Sequence, residues 1–389
     1  MKKIFSFAAI ALSLLAINAA ELKVDYSGKD TTAYKNFKSA LKASRPGDTI
    51  TILPVDFVIR DSIIINNYKA SPDKPLTVNG SFNTFSGVSP LDPAEWKKID
   101  KGLWERKMRL NRGVAERYFM VIDGHIVRMG RFFKGKCPYG YKKVQNLKKN
   151  EWTIIEDKST RVKNTSVYSI YLKLDESVND ITQSKVEEPR RGNICGVELS
   201  GKCNSIVIKN FICRNFWNDG YNIHNKVVNA VFDTICAIDC GDDGISAHES
   251  CEIKVENFVS FGNSTGICHC QLAVCTHNNV YIEGALGRDI YLPTKGDNKM
   301  TNIINNVLIV SSSSLGVYLG DNNGITKIDN MTVCYPSGKV IFEYPITSDC
   351  KAQLSRLKIL SKPTAETKKF KADILAKFHG KIEKQLEKR

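Results

Sequence analysis

The sequence predicts an all-β fold: a right-handed parallel β-helix with an N-terminal capping helix and a C-terminal amphipathic helix. Three observations predict it. Short β-rich segments recur every 22 to 27 residues, most of them open on glycine, and no helical periodicity interrupts them between 191 and 361. Repeats of this length mean a solenoid or array. With no helix in each repeat, and repeats too short for a propeller blade, a parallel β-helix is the solution that stacks them.

The elements follow in order. Residues 1–20 read as an export signal, with Lys2 and Lys3 before an apolar run from Ile4 to Ile17 and small Ala19 and Ala20 at the cleavage point. That run is short for a membrane span, and no later stretch reaches about 18 apolar residues. The expectation is a monomer that is secreted, periplasmic or on the cell surface, with no stable membrane insertion after signal cleavage.

Residues 21–84 read as the N-terminal cap and first rungs. Ala33, Phe37, Ala40 and Leu41 share one face of a short helix over Thr32–Ala43. Arg45-Pro46-Gly47-Asp48 ends it, and strands follow around Ile50, Ile63 and Thr77. The helix would cover the open edges of the first rung. Residues 85–190 are less regular and read as an insertion or side domain. There, Trp96 and Trp104 flank a turn at Lys101-Gly102, and Asp123-Gly124 marks a hairpin that places His125 beside a turn.

Residues 191–361 carry the repeat. Its segments begin at Gly196, Gly220, Gly244, Gly266, Asp289 and Gly316, with spacings of 24, 24, 22, 23 and 27 residues. A second series of β segments follows each one. Asn204, Asn210, Asn229, Asn257, Asn279, Asn305, Asn306 and Asn330 sit near strand ends, where asparagine tolerates left-handed backbone. Residues 362–389 form a basic amphipathic helix, with Phe370, Ile374, Phe378, Ile382 and Leu386 every four residues. Packing on the solenoid is its expected role, ahead of a membrane or partner surface.

Charge narrows the partner. The chain carries +15, or +13 (15 − 2) without Lys2 and Lys3. In an exported protein this favours an anionic polysaccharide by long-range attraction. No basic stripe interleaved with aromatics points to nucleic acid. Twelve cysteines permit disulfides in an oxidising compartment but do not fix their pairing. Their spacing does not suggest a zinc site, and no metal ligand is assigned.

Alternation along a strand sorts the side chains of each rung. Val197, Tyr221, Ile245, Ile267, Ile290 and Val317 point into the stack, as do Leu199, Ile223, Ala247, His269, Leu292 and Leu319. Outward columns then hold Glu198, Asn222, Ser246, Cys268, Tyr291 and Tyr318, and beside them Ser200, His224, His248, Cys270, Pro293 and Gly320. A third column, just before the strands, holds Cys195, Asp219, Asp243, Thr265 and Arg288, with Asp242 next to Asp243.

Glycosidic hydrolysis needs an acid for the leaving oxygen and a carboxylate to activate water. Asp219, Asp242, Asp243 and His248 are the catalytic candidates. His224, Arg288, Tyr291, Lys295 and Tyr318 are candidates for binding substrate. Lyase chemistry instead needs a base and cations to stabilise developing negative charge. Arg288, Lys295, the histidines and the tyrosines could serve it, with the carboxylates binding Ca²⁺. A hydrolase needs no cofactor.

The run Asn218-Asp219-Gly220, followed one rung later by Gly241-Asp242-Asp243, resembles the polygalacturonase-type glycoside hydrolases within the pectin-lyase-like β-helix superfamily. Their pattern is Asn-Thr-Asp-Gly and then Gly-Asp-Asp. The resemblance implies that Asp242 is the general acid, that Asp219 and Asp243 hold the attacking water, and that cleavage inverts the anomeric centre. It covers about 30 residues in catalytic detail. Thr265-Gly266-Ile267 stands where that family has Gly-His-Gly, and no Arg-Ile-Lys follows, although Arg288 shares the column. A polysaccharide lyase, or a non-catalytic glycan-binding β-helix, are the alternatives.

Overall fold

The computed structural model describes residues 19–129, 141–192, 194–293, 300–311, 315–320, 324–335, 342–343 and 352–387. Most of the export segment, and Lys295, lie outside them. Among the described residues, no helix is long and apolar enough to cross a membrane.

The repeat stacks as expected. Ile63–Asn66, Val197–Ser200, Tyr221–Ile223, Asp243–Ala247, Thr265–His269, Arg288–Leu292, Val317–Leu319 and Phe342–Glu343 form one eight-stranded parallel sheet, here the site sheet. Its register aligns Val197, Tyr221, Ile245, Ile267, Ile290 and Val317 in one inward column. All six are buried in the solenoid's continuous apolar core. Glycines open the rungs for a steric reason. A Cβ at Gly196, Gly220, Gly244 or Gly266 would lie 2.5–2.8 Å from the carbonyl oxygen of the equivalent residue on the next rung.

The opposite sheet is built from longer strands, such as Glu252–Phe261, Val274–Glu283 and Thr301–Val310. Each turns a corner at a residue with positive φ, namely Asn210, Thr234, Asn257, Asn279, Asn306 and Asn330. The asparagines hydrogen-bond from rung to rung, as from Asn330 Nδ2 to Asn306 Oδ1 at 2.9 Å. Asn204 and Asn305 sit beside left-handed positions without adopting them.

The two ends differ from expectation in detail. The capping helix spans Phe37–Ala43 and not Thr32–Ala43, because the Asn36 side chain accepts from Ser39 N and sets its start. The expected single C-terminal helix is two, Ala365–Ala376 and Lys381–Leu386. His379 and Gly380 between them are left-handed, with φ of 53° and 72°. Ile374, Leu375, Phe378 and Ile382 pack on Ile238, Val259, Phe261 and Tyr281 of the solenoid, so the apolar stripe faces the protein.

The segment that reads as irregular is regular. Two antiparallel sheets form there, one from Lys97–Asp100, Leu103–Asn111, Glu151–Val162 and Thr165–Lys173. The other joins Val88–Pro90, Met120–Ile122, His125–Val127 and Val186–Pro189. Asp123-Gly124 turns the expected hairpin, with both residues at positive φ. This side module has its own core around Trp96, Trp104, Trp152 and Tyr168, and that core also takes in Trp217 from the solenoid.

Candidate active site

Asp219 and Asp243 begin successive rungs, and Asp242 immediately precedes Asp243. The fold brings one oxygen of each of the three carboxylates within 4.8 Å of the others. Backbone bonds hold the arrangement. Asp243 N donates to Asp219 Oδ1 at 2.9 Å, and Asp242 N donates to the Asn218 carbonyl at 2.9 Å. Asn218 Nδ2 donates to Asp219 Oδ2 at 3.1 Å.

The clustering matches the sequence reading, but the cluster is not on open solenoid surface. Asp219, Asp242 and Asp243 are 2%, 3% and 1% exposed. The side module docks beside them. Trp217 Nε1 donates to the Val114 carbonyl at 2.9 Å, and Arg128 Nη2 donates to the Cys240 carbonyl at 2.8 Å. A side chain at Gly241 would collide with the Trp217 carbonyl and crowd that of Arg117, so only glycine fits before Asp242. The module also brings a residue that the sequence did not single out. Arg117 Nη2 pairs with Asp242 Oδ2 at 2.9 Å, and its Nη1 bonds Asn218 Oδ1.

His224 and His248 stack as their register requires, with ring centroids 4.5 Å apart and planes 5° from parallel. His248 Nε2 lies 2.7 Å from Ser246 Oγ. Burial opposes the charged form of His248, but a hydrogen bond with Cys270 and the nearby Asp219 and Asp243 carboxylates carry its pKa above the ordinary value. Burial and the facing His248 push His224 the other way, against the pull of Glu249. One imidazolium in the pair opposes a second.

Arg288 follows Asp243 and Thr265 in the same column, two rungs along. At a rung spacing of about 4.8 Å, that puts it about 10 Å from Asp243 along the axis. Its guanidinium lies 5.2 Å and 4.7 Å from the ring centres of Tyr291 and Tyr318. Those rings are 5.2 Å apart. This is a cation–π stack at a distance from the aspartates and not part of their cluster.

Other residues are structural. His269 is fully buried, as its inward register implies, and its Nε2 lies 2.7 Å from His277 Nε2. Cys195 accepts from Asn222 Nδ2 at 3.1 Å, and burial with the nearby Asp219 charge pushes its thiol up to about 12. It is therefore no nucleophile at neutral pH. Cys203, Cys213, Cys236, Cys240, Cys251, Cys275 and Cys334 are buried thiols. The sulfurs of Cys268 and Cys270 lie 3.8 Å apart, a contact far longer than a bond of about 2.05 Å.

No family model matches the chain, and no curated protein matches it in sequence. Among solved structures, XylC with xylose aligns with a TM-score of 0.50 and 11% identity, over 87% of this chain and 69% of its own. Pectate lyase Pel9A aligns with a TM-score of 0.45 and 12% identity, over 90% of this chain and 79% of its own. The fold of this chain is a right-handed parallel β-helix, which it shares with XylC.

Proposed function

We propose that the protein is an exported enzyme that hydrolyses glycosidic bonds in an anionic polysaccharide, with inversion. The observation that carries the hydrolytic reading is the approach of three carboxylates within 4.8 Å on two adjacent rungs; inversion rests on the resemblance of Asn218-Asp219-Gly220 and Gly241-Asp242-Asp243 to the polygalacturonase-type hydrolases. Asp219 and Asp243 are one rung apart, about 4.8 Å, a spacing at which two carboxylates can hold one water between them. Asp242, next to Asp243 in the chain, is the candidate to protonate the leaving oxygen. As that bond breaks, the water loses a proton to a carboxylate and adds to the anomeric carbon. His248 lies close enough to Asp219 and Asp243 to feel their charge and, when protonated, balances part of it. Arg288, Tyr291 and Tyr318 extend the binding face, the rings stacking on sugar and the guanidinium meeting a carboxylate.

The same cluster supports one second reading. Asp219, Asp242 and Asp243 are hard oxygen donors of the kind Ca²⁺ prefers. They would hold the ion, and its charge would stabilise the carbanion that a lyase forms next to a uronate carboxyl group. Products separate the two. On a panel of acidic and neutral polysaccharides, hydrolysis yields reducing ends without absorbance near about 235 nm, and chelator has no effect. Reducing ends together with that absorbance, abolished by chelation, would establish the lyase. Neither product from any acidic polymer would overturn both.

A further inference from the structure

Of the ten described cysteines nine are buried, and Cys270 is the exception. Its sulfur lies 3.8 Å from that of Cys268. Both belong to outward columns of the site sheet. Cys268 pairs with Ser246 on the preceding rung and His269 with Ala247, which sets Cys270 beside His248. His248 is hydrogen-bonded to Cys270, and its Nε2 lies 2.7 Å from Ser246 Oγ. A partly exposed thiol, a second sulfur within reach and an imidazole thus meet at one point of this face. Such surroundings make a thiol reactive, whereas thiols buried among apolar groups are inert.

We propose that Cys268 and Cys270 form a redox-active dithiol, which an external disulfide closes into an intramolecular disulfide that withdraws Cys270 from His248. Cys270, the accessible partner, attacks as the thiolate one sulfur of the external disulfide. That S–S bond breaks, a mixed disulfide forms on Cys270, and the first leaving thiolate takes up a proton. The Cys268 sulfur then loses its proton and attacks Cys270, and the second thiolate leaves and is protonated. The dithiol gives up two electrons, the oxidant becomes two thiols, and the two protein thiol protons end on them. Closure needs no sugar chemistry and stands apart from the hydrolytic reading.

The backbone permits the bond. Two residues of extended strand span about 6.6 Å, near the upper end of the Cα separations that a disulfide bridges. The strand Thr265–His269 ends between the two cysteines, and Gln271 beyond them is left-handed, with φ of 63°. Cys270 therefore stands where the chain leaves the strand, and it can draw toward Cys268 while the ladder within Thr265–His269 is kept. A bond near that upper limit is also readily reduced, so the pair can reopen. Once closed, the Cys270 sulfur carries neither a proton nor a thiolate charge, and its hydrogen bond with the imidazole weakens. His248 keeps Ser246 and its stack on His224.

Oxidised glutathione acting on the reduced, folded wild-type protein tests the proposal, with peptide mass spectrometry after alkylation of the remaining thiols. Cys268 and Cys270 should both be lost to alkylation as one disulfide, and dithiothreitol should restore them. Cys275, buried and in the same tryptic peptide, should stay alkylatable throughout. In Cys268→Ala the reaction should stop with glutathione on Cys270, and in Cys270→Ala it should leave Cys268 alkylatable. The chain has six histidines. The ring-proton NMR signals of His248 and its stacked neighbour His224 should shift on closure, while those of His125 and His379 should not. If both cysteines of the oxidised wild type remain alkylatable, or either is bridged to a different cysteine, the proposal is overturned without recourse to a variant. Closure with unmoved His248 signals overturns its release from Cys270. Because no sugar is present, none of these results depends on the hydrolytic reading.

Discussion

The solenoid rungs and the side module contribute to the candidate site in opposite ways. The solenoid supplies its acids by repetition: Asp219 and Asp243 occupy equivalent corners 24 residues apart, and backbone register alone brings them together. The module contributes through one excursion. Arg117 lies 101 residues from Asn218 in the chain and reaches it only because the module docks on Trp217, Cys240 and Gly262. A repeating scaffold can place like charges side by side, but it also repeats their repulsion. An element outside the repeat can bring in the counter-charge. The burial of the three aspartates follows from the same docking.

The largest expected effect lies on the solenoid side. Asp242→Asn keeps size and most hydrogen bonding but has no proton to give. Activity on a substrate that the wild type cleaves should fall roughly a hundredfold or more, with the circular dichroism of the fold intact. Full activity in that variant would remove Asp242 as the acid.

A smaller effect should follow from loosening the module. Gly241→Ala drives a methyl group into the Trp217 carbonyl of the neighbouring rung and crowds the Arg117 carbonyl of the module, so it should disturb the seam between solenoid and module. Activity should drop about tenfold or more, with a lower melting temperature because the clash lies between two rungs. The fluorescence of Trp217, which packs edge-on against Tyr118 at 5.5 Å, reports the displacement. An unchanged spectrum with unchanged activity would show that docking here is not coupled to the site.

The solenoid interior gives a further contrast, in stability and not activity. Burial pushes Asp289 up from 3.8 to about 7, against a hydrogen bond from Ser311. The folded chain then binds more protons there than the unfolded one, so stability falls as pH rises from about 4 to about 7. Asp289→Asn should raise the melting temperature by a few degrees at pH 8 and little at pH 4. Burial holds His277 down from 6.5 to about 3, which has the opposite sign: stability falls as pH drops through that interval. Between about pH 4 and 6.5 the two slopes oppose one another, so Asp289→Asn should leave a melting temperature that rises with pH and His277→Asn one that falls with it. Equal pH dependence in wild type and variants would contradict both assignments.

The smallest effect is expected at the distant stack. Tyr318→Ala removes one of the two rings that the Arg288 guanidinium faces and should raise KM several-fold with kcat nearly unchanged, as loss of sugar stacking or cation–π contact implies. A fall in kcat instead would place Tyr318 nearer the chemistry than its rung indicates.

What could be read from the sequence divides along the same line. Register in a stacked sheet depends on a period of two and a repeat of about 24, so inward His269, the His224–His248 stack and the aspartate corners follow from counting. The antiparallel sheets of the module carry no repeat, and their long hydrophilic strand Glu151–Val162 hides the pattern. Arg117 had no signal at all, because one arginine beyond a short helix looks like any surface residue. The break at His379 and Gly380 was signalled by the glycine but masked by the unbroken four-residue apolar spacing.

In the proposed reaction Asp219 and Asp243 hold a water that attacks while Asp242 protonates the leaving oxygen. Proton NMR of the first-formed product, recorded before mutarotation, tests it most directly. The expected product is a new reducing end whose anomeric configuration is opposite to that of the bond cleaved. A product with retained configuration, or an unsaturated non-reducing end, would contradict it.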